Sequence, residues 1–317
     1  MIVSSRKVTR QWRDIAIIGM TGRFPGGGGV DQLWHNLEIG KDCITHFTDD
    51  ELLQAGVPRH LVKHPHYVKA APLLADYDRF DAELFNFAPS EAALIDPQHR
   101  IFLECAWEAM ELAGYSTRAE RLRTAVFAGS ALNTYLMFGL LEELRDNFIP
   151  TLIANNEDFL ATRVSHRLNL TGPSATIQTA CSTSLVAIHF ACASLINGEA
   201  DLALAGGVAV KVPHVAGHMY RAGSMVSRDG RCRSFDAAER SDRPVAFVCP
   251  ANVRAGIDSI GILTAVSARS GVASTLALTI FRNRRRWKRC EPPLPASLIR
   301  MTAAHVDHRL RSLVSSF

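Results

Sequence analysis

Residues 174–210 read SATIQTACSTSLVAIHFACASLINGEADLALAGGVAV, and the order of elements in this stretch decides the fold. Residues 174–179 alternate and are rich in β-branched side chains, as a strand requires. Ser182 and Thr183 are helix-capping residue types, and residues 184–197 then place Leu185, Ile188, Cys192 and Leu195 on one helical face before Gly198 stops the helix. Residues 200–210 supply a further apolar strand. Strand, turn, helix, strand is an α/β crossover unit, and Cys181 falls on its turn.

That position has chemical consequences. A helix N-terminus carries unpaired N–H groups and about half a unit of positive charge, which favours thiolate, the nucleophilic form of cysteine. The backbone N–H of Cys181 is a candidate donor to the oxyanion formed when a thioester carbonyl is attacked. Ala180 and Ser182 are small enough to admit a substrate, the logic of a serine nucleophile elbow. Free cysteine is also a common small core residue, so local sequence leaves both readings of Cys181 open. Cys192, in deeper apolar company, is expected to be inert.

Working outward, residues 14–20 (DIAIIGM) read as a strand buried on both faces, too short to span a bilayer. The glycine run 26–29 lacks the Lys-Ser/Thr of a phosphate loop and reads as a flexible connection. Residues 31–39 look like a helix capped by Asp31 and stopped by Gly40. A polar loop is expected up to about residue 88; His46, His60, His64, His66 and, beyond, His99 lack partners at ligand spacing and read as solvated. Residues 96–115 are the clearest helix: Asp96 caps, Pro97 opens and Gly114 ends it. Its apolar face carries Ile101, Phe102, Cys105, Ala106, Ala109 and Ala113, with Arg100, Glu104, Glu108 and Glu111 opposite. Residues 124–130 form a second buried strand, and a mobile stretch is expected over about 140–159.

The whole chain of 317 residues, 47% hydrophobic and 21% charged, has globular composition. Its seven cysteines are scattered with no zinc-like spacing, which points to free thiols, a reducing compartment and a cytoplasmic location. No signal peptide is recognisable at the start. The net charge of +4 conceals two different pieces: residues 241–317 hold 12 Lys and Arg against 4 Asp and Glu. Arginine and tryptophan interleave in RNRRRWKR (282–289), a pattern compatible with nucleic-acid binding, but Arg-rich sequence without a selected fold has the same composition.

DIAIIGMTGRFPGGG, LWHNLEIGKDCIT, FDAELFNFAPSEAALIDPQHRIFLECAWEAMELAGY, the segment from Ser165 to Val210 and SRDGRCRSFDAA together resemble the β-ketoacyl synthase domain of modular polyketide synthases, over residues 13–238. TACSTSLVA resembles that family's active-site cysteine motif. The resemblance implies a thiolase-like α/β fold, two similar halves stacked in α-β-α-β-α layers and usually a homodimer, with only the first half complete here. It implies that Cys181 takes an acyl group from the 4′-phosphopantetheine of an acyl carrier protein, for decarboxylative Claisen condensation. No bound cofactor is implied, and the other partners would be neighbouring synthase modules; neither nucleic acid nor membrane is favoured. Relatives that only decarboxylate carry Gln in place of this cysteine.

The sequence also departs from the family. Similar domains supply two histidines from a second half, in His-Gly-Thr-Gly-Thr and Asn-x-Gly-His motifs, and neither occurs here. After residue 240 the histidines are His305 and His308, whose neighbours match neither motif. His166 stands where an aromatic is usual, with nothing to place it beside Cys181. The expected organisation is a tail (1–12), a ketosynthase N-terminal domain (13–240) and an atypical basic segment (241–317), frameshifted or disordered, with a divergent extension as the alternative. A non-catalytic fragment is the rival reading, and apolar surface left exposed by the missing half is expected.

Overall fold

The computed structural model describes residues 15–115, 122–223 and 226–231, and the backbone of 274–281. In chain order the elements are β1 (Ala16–Arg23), α1 (Val30–Glu38), β2 (Ile44–His46), α2 (Asp49–Gln54), α3 (Arg59–Val62), β3 (Tyr67–Val68), β4 (Ala70–Pro72), α4 (Pro89–Leu94), α5 (Pro97–Leu112), β5 (Thr124–Ser130), α6 (Thr134–Gly139), α7 (Leu141–Asp146), α8 (Phe148–Asn155), α9 (Phe159–Arg167), β6 (Ser174–Thr176), α10 (Thr183–Asn197), β7 (Leu202–Ala209), β8 (His218–Met219) and β9 (Ser274–Phe281). Five strands make the central sheet, ordered β1-β9-β7-β5-β6. β6 and β7 run parallel to β5 on its two sides, and α10 is the crossover between them. β9 is antiparallel to both β1 and β7.

Period-two alternation divides the sheet's side chains between two cores. Val126, Ala128, Leu202 and Leu204 pack with α5 and α9 on one face. Ala125, Phe127, Ala203 and Ala205 pack with α1 and α10 on the other. Every residue of β5 and β7 is therefore buried, as in parallel strands covered by helices on both faces. Each fully buried leucine here stabilises the fold by about 2 kcal/mol. The result is one α-β-α unit, with residues 180–197 packed on the sheet by one face and 39% buried; by length and composition alone that segment is apolar enough to cross a membrane.

The α/β crossover, the strand at 124–130 and the long helix after Asp96 stand as the sequence indicates. Asp96 accepts from Gln98 N–H at 2.8 Å, and Pro97 opens α5. Other expectations are corrected. The first helix begins at Val30 behind Gly29, so Asp31 lies in its first turn and caps nothing. β1 runs on through Arg23, and Thr21 and Arg23 both bond Glu108 of α5, which is half-buried rather than fully solvated. Arg100 is buried too. The region 41–88 is organised into short elements; α2 opens on a capping box formed by Thr48 and Glu51. The stretch expected to be mobile is helical in α7 and α8.

His46, His60, His64 and His66 are exposed, but His99 is wholly inside, in the first turn of α5. The buried face of α10 is also not the one expected: Thr183, Ser184, Ala187, Ala191, Ser194 and Leu195 face inward, while Leu185, Ile188 and Cys192 are half-buried. Small side chains win that face because the helix lies close against strand backbone. Beyond residue 240, where no organised element is expected, β9 fills the place between β1 and β7. RNRRRWKR, His305 and His308 lie outside the described residues, as do residues 1–12. Large apolar side chains are exposed at Leu132, Phe138, Leu141, Phe148 and Ile149, each more than half exposed, on the segment around α6 to α8 and not on the sheet.

Candidate active site

β6 is short, and the chain leaves it through Ile177, whose N–H donates to Ala128 O of β5 at 2.7 Å. Gln178 follows, its amide donating to Glu157 at 2.7 Å. The chain then turns sharply. Ala180 has φ of +52°, in the left-handed region that non-glycine residues seldom occupy, and residues 180–182 form a single 3-10 turn before α10. Cys181 is half-buried on this turn. Among the described residues neither its Sγ nor its N–H has a hydrogen-bond partner.

Two hydroxyls brace the turn. Ser182 Oγ donates to Thr179 O at 2.8 Å, and lies 3.1 Å from Thr179 Oγ1. Thr183 Oγ1 accepts from Thr179 N–H at 3.0 Å and donates to Ala180 O at 2.7 Å. The expected capping role of these residues is thereby corrected: Ser182 occupies the cap position without a side-chain cap bond, and both hydroxyls reach back into the turn.

The turn sits directly on the sheet. A Cβ at Gly129, in β5, would lie 2.1 Å from Ile177 O and 2.2 Å from Thr183 Cγ2, so only glycine admits this approach. At Gly207 in β7 an added Cβ would lie 2.5 Å from Ser184 Oγ, a tight contact with a side chain rather than with backbone. Behind this seat, Gln98 ties α5 to the ends of both strands. Its amide donates to Asp96 and to Ala131 O, and its oxygen accepts from Ala131 N–H and Val210 N–H. Burial pushes the Asp96 carboxyl up to about 6, against the bonds it accepts from Gln98.

The arrangement leaves a thiol and a backbone N–H open at the start of a helix of 15 residues. A carbonyl attacked by Sγ would place its developing oxyanion against such a donor and against the positive end of the helix. The other sequence candidates do not join it. His166 is exposed on the last turn of α9, and Cys192 is a poor nucleophile, its thiol pushed up to about 11 by burial. Among the described residues no cluster of His, Cys, Asp or Glu can hold a metal ion. The bracing hydroxyls and the glycine seat escape sequence reading, although glycines interrupting both buried strands are a recognised signal of close backbone approach.

Comparison with known proteins agrees with this architecture. Residues 12–244 match the family described as "Beta-ketoacyl synthase, N-terminal domain". The chain is 46% identical over 232 residues to a component of the phenolphthiocerol/phthiocerol polyketide synthase of Mycobacterium tuberculosis, covering 70% of this chain and 16% of that protein. It is 37% identical over 238 residues to the mycoketide-CoA synthase of the same organism, covering 74% of this chain and 6% of that one. Ketosynthase twelve of the bacillaene polyketide synthase from Bacillus amyloliquefaciens superposes with a TM-score of 0.70 at 28% identity, over 87% of this chain and 44% of that structure. The ketosynthase from module 6 of the Bacillus subtilis bacillaene synthase gives 0.63 at 31%, over 87% and 41%. The α-β-α unit is thus one half of a thiolase-like fold, and the chain belongs to the β-ketoacyl synthase family, whose N-terminal domain it carries.

Proposed function

We propose that the chain is a polyketide-type ketosynthase in which Cys181 accepts the acyl group. The observation that carries this reading is the open thiol beside an unpartnered backbone N–H, on a braced turn at a helix start. The incoming substrate is a thioester on the 4′-phosphopantetheine of an acyl carrier protein. Cys181 Sγ attacks its carbonyl carbon, the oxyanion rests on the Cys181 N–H, and collapse expels the phosphopantetheine thiolate, which takes up a proton. The acyl group is left as a thioester on Cys181. In the second half-reaction a malonyl-type thioester loses carbon dioxide, and the resulting carbanion attacks that acyl carbon, releasing the cysteine and extending the chain by two carbons.

A second reading is favoured by a specific fact: the His-Gly-Thr-Gly-Thr and Asn-x-Gly-His strings of similar domains are missing from the sequence. Acid–base partners contribute about 10² to 10⁴-fold each, so without them the chain stops at acylation or acts only by binding. One experiment separates the cases. Protein incubated with the N-acetylcysteamine thioester of a short fatty acid gains the acyl mass on Cys181, and Cys181→Ala gains none. Labelling elsewhere, or none at all, removes the ketosynthase reading. Carbon dioxide released from malonyl carrier protein removes the fragment reading.

A further inference from the structure

We propose that Thr183 is a positioning residue for Cys181: its hydroxyl holds the left-handed turn that presents the thiol, and Gly129 supplies the seat that lets it do so. The inference builds on Cys181 being the acyl acceptor. A left-handed alanine costs about 1 kcal/mol or more, so Ala180 stays at φ +52° only where something else fixes it. Among the bonds that span the turn, those of Thr183 are the ones made from inside. The residue is 4% exposed, and its hydroxyl ties the residue before Ala180 to the Ala180 carbonyl, one bond accepted and one donated.

The rotamer that allows this is set from below. Thr183 Cγ2 lies 2.2 Å from where a Cβ of residue 129 would be, so the methyl packs against the space that Gly129 leaves, and the hydroxyl is turned toward Thr179 and Ala180. Methyl and hydroxyl thus have separate roles, one seating the side chain and the other fixing the turn. Serine keeps the hydroxyl without the methyl, and valine keeps the shape without the hydroxyl.

The test measures two rates on the full chain: acylation of Cys181 by the N-acetylcysteamine thioester, and alkylation of Cys181 by iodoacetamide. Thr183→Val should slow both about tenfold or more with the melting transition retained, through misplacement of the reacting sulfur. Thr183→Ser should stay within about twofold of the parent, a loss too small to be a broken hydrogen bond. Ala180→Gly, which takes positive φ without strain, should return most of the rate in the Thr183→Val background. Should Thr183→Val fail to fold, Thr183→Ala against Thr183→Ser gives the same comparison without the branched shape. Equal rates in Val and Ser variants, or an Ala180→Gly double variant no faster than Thr183→Val, overturn the proposal. A parent chain that is alkylated at Cys181 but never acylated overturns the ketosynthase reading instead, and alkylation still decides the role of Thr183.

Discussion

His99 faces the interior from the first turn of α5 with both ring nitrogens buried and unpartnered. Burial, with Arg163 nearby, pushes its imidazole down from 6.5 to about 3. The folded state therefore refuses a proton that the unfolded chain accepts, and stability from this residue is full above pH 6.5 and is lost as pH falls toward 3. Asp96, three residues earlier, has the opposite sign: its carboxyl is raised from 3.8 to about 6, so its contribution is full below 3.8 and lost as pH rises through 6. His99→Leu should be near neutral or stabilising at pH 7, since an apolar replacement removes two unpaired buried atoms. Between pH 7 and pH 5 its advantage over the parent should grow by about 2 kcal/mol in urea unfolding. A constant difference across that range would mean that His99 is solvated. Composition reveals that a histidine is present, but its burial depends on α9 and α5 meeting, which no local pattern records.

At the scale of elements, α5 shows where reading along the chain succeeds and where it stops. Asp96, Pro97 and the stripe through Ile101, Cys105 and Ala109 are legible because cap, first turn and face are local properties of one helix. Gln98 is not, since its partners at Ala131 and Val210 come from 33 and 112 residues away. Gln98→Leu leaves the buried Val210 N–H and the Ala131 carbonyl without the Gln98 amide, while Ala131 N–H keeps Val208 O, and should cost about 1–2 kcal/mol, seen as a lower urea midpoint. The face of α10 teaches the same lesson in reverse. Its large residues suggest one stripe, but contact with glycine-bearing strands selects the small ones, as Ser184 against Gly207 illustrates. A Cβ at Gly207 would press on Ser184 in the turn's own helix, so Gly207→Ala should lower the rate of Cys181 alkylation as well as stability. Unchanged alkylation in the folded protein would place the turn outside the influence of β7.

Over the whole molecule, the sheet is joined by a strand far away in sequence. β1 pairs with β9, and β9 with β7, so among the described residues 16–23 join the sheet through residues 274–281. Proline at the centre of that strand removes an N–H between two partners; Leu278→Pro should cost about 3 kcal/mol or more and abolish a single cooperative transition. An unaltered melt would detach β9 from the sheet. The family and the cysteine motif are legible because they lie in one continuous stretch, whereas β9 falls in basic sequence that carries no family motif.

The same connectivity sets an order of events during synthesis. When residue 209 has left the ribosome, β5, β6 and β7 can already associate, with the cysteine turn seated on them. β7 then offers a bare edge of eight residues, and β1 has no strand beside it. Both wait for residue 281, 72 residues after the end of β7, which at about 5–20 residues per second is an interval of seconds. During that interval the nascent chain has its cysteine turn before it has a closed sheet, and holdase chaperones that bind open strand edges have their opportunity there.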